Sequence, residues 1–291
     1  MASPGILELR GDVLAAVRQF FRERGFREVE TPLLVRSPGM EPHLRAVAVG
    51  PRYLITSPEY HMKRLLAAGV ERIFQIVRCF REDERGRHHA REFTMLEWYR
   101  AGSVYEAIME DCEQLLGALV PLHHGTAGLL DAPFERLTVA EAFSRHGDLD
   151  PFALSEDEFF RALVELVEPA LGRARPTILY EWPARYAALA RLKPSDARVA
   201  LRFELYAGGL ELANAFDELC DAVEQRRRLL DEQAQRRERA LEVYPIDERF
   251  LAAVGAMPPS AGIALGLDRL VMVLAGARDI REVQAFPEDE V

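Results

Sequence analysis

Apolar residues recur at helical spacing near the start of the chain. Val13, Leu14, Val17, Phe20 and Phe21 share one face, which predicts a helix over 11–24, closed by Gly25 where a left-handed cap fits. The period then changes. Short strands are predicted over 27–31, ended by Pro32, and over 52–56; Ser57 and Pro58 next read as the N-cap and first position of a helix over 59–68. Two longer strands, 73–80 and 92–99, flank a polar, arginine-rich loop with nothing to bury, the pattern of a hairpin with a long tip. A helix over 103–120 follows. Residues 121–180, with scattered Gly and Pro and a helical stretch near 156–167, read as a small helical insertion. A hairpin turning at Gly208–Gly209 joins strands 200–207 and 210–216, a charged helix covers 221–242, and 262–274 passes from Gly-rich strand into helix. Strands in hairpins with helices between them predict an α+β fold around a mostly antiparallel sheet.

Composition narrows this picture. The 291 residues suffice for a single large domain, and 49% apolar with 29% charged residues is ordinary for a globular protein. No apolar run approaches the roughly 20 residues of a membrane span, and no basic leader precedes an apolar stretch, so neither membrane nor export is expected. Cys79, Cys112 and Cys220 lack metal-ligand spacing and suit a reducing cytoplasm. A net charge of −10 argues against bulk electrostatic binding of nucleic acid, although Arg78, Arg81, Arg85, Arg87 and Arg91 make one local exception.

Strand periodicity puts Phe93, Met95, Glu97 and Tyr99 on one face of the second hairpin strand. A ring, a carboxylate and a phenol together make a poor core face and a good floor for a flat heterocycle beside an ammonium group. The plainer reading is a strand whose Glu97 pairs with a neighbouring arginine. Arg81, at the mouth of the loop, is placed to hold a phosphate bidentately. Gly262 and Gly266 let backbone approach a ligand closely, and Arg269 opens a helix. Glu211 and Glu218 would hold a divalent cation beside a phosphate, but only if the chain turns near Asp217; otherwise they face opposite ways, as surface glutamates. His88 and His89 fall in the polar loop, as loop or phosphate contacts.

These segments together resemble the catalytic domain of class II aminoacyl-tRNA synthetases in its lysyl form. PheArgGluAsp (80–83) with HisHisAlaArgGluPheThrMetLeuGluTrpTyr (88–99) resembles motif 2, GlyIleAlaLeuGlyLeuAspArgLeu (262–270) motif 3, and PheArgGluValGluThrProLeuLeu (26–34) motif 1. GluLeuAlaAsnAlaPheAspGluLeu (211–219) is similar to the strand that carries metal-binding glutamates. ThrSerProGluTyrHisMetLysArgLeuLeu (56–66) has the form seen in the elongation factor P lysine ligases, free-standing paralogues of lysyl-tRNA synthetase.

The resemblance implies roles. Arg81 would bind the α-phosphate of ATP and stabilise its charge, and Phe93 and Arg269 would sandwich adenine, making Arg81 and Arg269 the catalytic arginines. Glu82, Asp83, Glu211, Leu212 and Gly266 would complete the ATP site, with Glu211 and Glu218 holding Mg²⁺. Ser57, Pro58, Glu59, Glu97, Tyr99, Glu218 and Ala264 would surround the amino acid. Adenylate formation needs positioning and charge neutralisation more than a protein base. Motif 1 implies a homodimer. With motif 1 starting by about residue 11, no anticodon-binding OB-fold is expected, and tRNA is not the expected acceptor.

Ala264 stands where lysyl-tRNA synthetases have glycine, and its methyl favours (R)-β-lysine over lysine, by about 1–3 kcal/mol for one methyl. The expected product is then a modified lysine on elongation factor P. The chain departs from the pattern at Asp83, for which Glu82 or Glu84 would compensate, and at Ala90–Arg91, where an amide contact to ATP is lost. It departs also at Ala215 and at Arg185–Tyr186. A tRNA-aminoacylating enzyme and a non-catalytic regulatory paralogue are the alternatives. Retention of Arg81, Arg269, Glu211 and Glu218 counts against the second. The arginine-rich loop is the expected contact with a macromolecular acceptor.

Overall fold

The computed structural model describes residues 2–42, 44–125 and 128–290. Its first helix, α1 (Pro4–Glu23), begins ahead of the apolar stripe, because Ser3 caps Ile6 N and Pro4 takes an opening position where no N–H is missed. Then come β1 (Arg27–Glu28), β2 (Leu34–Val35), β3 (Ala48–Val49), β4 (Arg52–Leu54) and α2 (Glu59–Ala67). The long hairpin is β5 (Arg72–Phe80) and β6 (Glu92–Ala101), followed by α3 (Tyr105–Leu119). The next stretch forms β7 (Glu135–Thr138), α4 (Val139–Gly147), α5 (Glu156–Ala162) and β8 (Thr177–Pro183). The chain ends with β9 (Leu192–Lys193), β10 (Asp196–Ala207), β11 (Leu210–Asp217), α6 (Ala222–Glu238), α7 (Glu248–Ala256), β12 (Ser260–Gly266) and α8 (Leu267–Ala275).

A nine-stranded sheet organises these elements in the order β1-β5-β6-β12-β11-β10-β8-β7, with β9 beside β10. All pairs are antiparallel except β1–β5 and β7–β8. β2, β4 and β3 make a separate small sheet. The stretch expected to be an insertion is built into the main sheet through β7 and β8. Its helices α4 and α5 do form a core of their own, with Phe143 stacked on Phe159 at 4.8 Å and Trp182 beside them.

Alternation on β6 divides the sheet. Leu96 and Trp98 turn back into the core, where Trp98 meets Phe21 of α1 and Phe21 stacks on Phe74 at 4.8 Å. Each ring so buried contributes on the order of 2 kcal/mol. Met95, Glu97 and Tyr99 face the front. Between the faces, Arg10 of α1 reaches Asp268 of α8 at 2.6 Å and Thr94 Oγ1 at 2.8 Å, while Thr94 N donates to Asp268 at 2.7 Å. Asp268 is 2% exposed, so its charge depends on this clamp, and the clamp fixes the turn of helix that carries Arg269.

Arg10→Ala leaves a buried carboxylate without its cation and should cost about 3 kcal/mol of stability. Chemical denaturation would measure it, and a loss below about 1 kcal/mol, the value of an exposed pair, would show the clamp to be dispensable.

Candidate active site

On the front of the sheet lies a cavity of about 640 Å³, lined from Arg269 and Gly266 at one end to Ser57 and Glu59 at the other. The first end is a flat slot. Phe93 provides one wall, with the Arg81 guanidinium 5.0 Å from its ring centroid. Arg269 is held rigid: Nη1 donates to Glu211 O at 2.8 Å, Nε to the His88 carbonyl at 3.1 Å, and Nη2 meets His89 Nε2 at 2.5 Å. Burial and Arg269 lower the His89 pKa, so the neutral ring can accept from that guanidinium. Arg81 Nε is buried without a partner among the described residues, and its nearest carboxylate is Glu84 at 3.5 Å. A fixed cation with a spare donor beside an aromatic ring suits a nucleotide phosphate.

Behind the second end, where Ser57 and Glu59 line the cavity, lies a buried cluster of carboxylates. Glu97 is fully buried, accepting from Ser57 Oγ at 2.6 Å and Tyr99 OH at 2.8 Å. Behind it Lys63 Nζ lies 2.6 Å from Glu59 Oε1 and 2.6 Å from Glu218 Oε2. The Lys63 ammonium holds Glu218 through Oε2, and Glu218 Oε1 meets no donor among the described residues. Burial alone would lower the Lys63 ammonium, but Glu218 and Glu59 hold it above its usual value. Burial, reinforced by Glu59, raises both Glu97 and Glu218 to about 8. Among the described residues one ammonium thus stands beside three carboxylates, an arrangement that a second cation would complete.

Gly262 closes the pocket. A Cβ there would stand 2.1 Å from the Tyr99 ring and 2.8 Å from Glu218 Oε1. What approaches this glycine is the pocket's own side chains, whereas Gly266 borders the open slot as expected. Ala264 lies between Glu97 and Asn214 in the sheet and faces the cavity. Leu212 lines the slot, and Pro58 caps α2 while Ser57 Oγ receives Glu59 N at 3.0 Å.

Two expectations need correction. The β10–β11 register slips between Leu205↔Ala213 and Tyr206↔Glu211, leaving Leu212 as an extra residue. This bulge, rather than a turn near Asp217, puts Glu211 on the same face as Glu218. The chain stays extended, however, so about 20 Å of strand separates them and one cation cannot take both as ligands. Glu211 belongs to the slot, with Oε2 3.8 Å from Arg269, and Glu218 to the amine pocket. In the hairpin loop, Glu82 pairs with Arg91 and Asp83 with Arg45 at 3.0 Å, and neither is among the residues that line the cavity. Glu84 lines it instead.

Sequence reasoning missed Lys63. Its signal is a charged pair, Glu59 and Lys63, on the stripe of α2 that buries Met62 and Leu66. Arg202 and Glu204, paired at 2.5 Å along the slot, were also missed. Nothing in the local sequence marks them.

Burial raises Glu97 and Glu218 to about 8, so an ammonium that binds beside them should displace one proton. Affinity for a diamino acid should therefore rise up to about tenfold per pH unit from 6 to 8 and level off above. KM for the amino acid against pH would measure this; a flat profile in that window would contradict it.

Residues 3–290 match the family described as tRNA synthetases class II (D, K and N). The chain is 41% identical to an elongation factor P–(R)-β-lysine ligase of Klebsiella pneumoniae (strain 342), across 98% of this chain and 95% of the relative. It is 40% identical to the ligase of that name from Hamiltonella defensa, across 96% and 93%, and 39% identical to one from Salmonella dublin, across 98% and 95%. Among the described residues no helix is long and apolar enough to cross a membrane. The chain belongs to the class II tRNA synthetase family, whose members are ATP-dependent aminoacyl ligases.

Proposed function

We propose that the chain activates (R)-β-lysine, or lysine, with ATP as an aminoacyl-adenylate and transfers the acyl group to a lysine ε-amine of elongation factor P. The observation that carries the reading is the buried cluster of Glu97, Glu218 and Lys63 directly behind Ser57 and Glu59, which line the far end of the cavity from the Arg269 slot. The relatives' names supply the acceptor.

In the first step a carboxylate oxygen of the amino acid attacks the α-phosphorus, and pyrophosphate leaves with the electron pair. Arg81, with its unpartnered Nε, neutralises the developing phosphate charge, and Phe93 and Arg269 hold the base between them. Glu97 and Glu218 anchor the distal ammonium, and Tyr99 and Ser57 keep Glu97 oriented. Glu211, with its side chain 40% exposed beside Arg269, fits a Mg²⁺ that arrives with the phosphates. Such an ion supplies charge neutralisation to the nucleotide. Exposed apolar residues such as Leu33 and Leu34 support a homodimer, and the cytoplasm is the compartment in which a translation factor would be met.

Exchange of pyrophosphate into ATP should require lysine or β-lysine and should fall by about 10³-fold in Arg81→Ala. Incubation with ATP, β-lysine and either elongation factor P or tRNA would then read the acceptor by mass. Mass gain on tRNA alone would refute the assignment. Ala264→Gly should move preference towards α-lysine by about tenfold to a hundredfold, and an unchanged preference would mean that another residue sets it.

A further inference from the structure

Beyond the amine pocket the cavity has a second acidic wall. It is made by the segment carrying Glu41 and by α6, which carries Glu232, and the activation chemistry uses neither residue. Glu41 Oε2 is closed off from solvent and meets no hydrogen-bond donor among the described residues. Gly39, at φ +136°, makes room for it; a Cβ there would stand 3.0 Å from that oxygen. Arg236 of α6, itself fully buried, fixes the wall, donating to Glu41 O and Leu44 O at 2.8 Å each and to Glu242 O at 2.6 Å. A desolvated carboxylate with an unfilled oxygen is costly, and a cation brought by a ligand removes that cost.

We propose that Glu41 and Glu232 form the entry site for the acceptor amine: they draw in the ammonium of a lysine side chain on the acceptor protein and take its protons as it attacks the acyl-adenylate. The proposal rests on the acyl-transfer reading above. An ammonium must shed one proton to become a nucleophile. The nitrogen then bonds to the carbonyl carbon, the bond from that carbon to the phosphate oxygen breaks, and AMP leaves with the electron pair. The nitrogen loses a second proton as the amide forms. Two carboxylates are at hand for the two protons, which pass on to water. Around Glu41 stand Glu59, Arg81 and Lys63; around Glu232 stand Glu41, Arg228, Glu59 and Arg236. Burial and Glu59 raise Glu41, and burial and Glu41 raise Glu232 to about 8, so both are stronger bases than ordinary carboxylates. A ribose hydroxyl carries no charge for this wall to attract, and the adjoining phosphates would be repelled by it.

The test uses the full chain with E41Q, E232Q and the double variant. Pyrophosphate exchange, and trapping of the adenylate by hydroxylamine, which is already neutral, should stay within about twofold of wild type, while transfer to elongation factor P falls by about a hundredfold. The rise of transfer rate with pH through about 8 should disappear with it. E41D, which keeps a carboxylate, should recover part of the transfer. Transfer at the wild-type rate, or exchange falling in step with transfer, would overturn the proposal; intact exchange also reports that the variants fold. A wild-type enzyme that exchanges yet labels no protein would sink the underlying reading, and this site with it.

Discussion

The site depends on a shortage of positive charge. Glu59, Glu97 and Glu218 come from α2, β6 and the end of β11, and Lys63 is the one ammonium between them. Buried carboxylates in such numbers are unfavourable by themselves, since desolvation outweighs Coulomb attraction unless partners are complete. The fold answers with local supports. Ser57 and Tyr99 donate to Glu97, and Gly262 gives up its side chain so that Tyr99 and Glu218 can sit against the strand. What remains unsatisfied is the space of one further cation. A diamino acid would complete the cluster, whereas a residue with an apolar side chain would leave the carboxylates desolvated and unpaired.

The sheet converts this pocket into a reaction centre by alignment along one strand. β11 carries Glu211 at the nucleotide end and leads to Glu218 at the amine end, with Asn214 between them and Ala264 paired beside it. The Leu212 bulge keeps both glutamates on the front face. A regular strand would turn Glu211 into the core and take its carboxylate away from the slot. The Arg10–Asp268 clamp does the corresponding work for α8, holding the helix that presents Arg269 from behind the sheet.

Strand alternation made much of this legible. On β6 it assigns Glu97 and Tyr99 to one face and Leu96 and Trp98 to the other without any knowledge of the sheet. Ser3 and Pro4 announce the start of α1, yet the weight given to the apolar stripe hid them. Alternation failed on β11, because a bulge is a property of the pairing with β10 and has no mark in a single strand. Lys63 escaped because a lysine on a helix normally reads as solvated, and only the chain fold brings Glu218 to it. The metal pairing of Glu211 with Glu218 failed for the same reason. A spacing of seven is compatible with convergence or separation until the chain direction is known.

Charge also bears on the arginine-rich loop. As sequence it is a basic patch, and a patch that binds a polyanion must have cations free to replace counterions. In the folded chain Arg91 is shared by Glu82 and Glu288, Arg85 pairs with Glu288 at 3.1 Å, Arg78 with Glu92 at 3.6 Å, and Arg45 with Asp83. Each exposed pair adds little to stability. These pairs lower the net positive charge of the loop, with Arg87 still exposed. On the other side of the cavity the wall of Glu41 and Glu232 would favour an ammonium and disfavour a phosphate backbone.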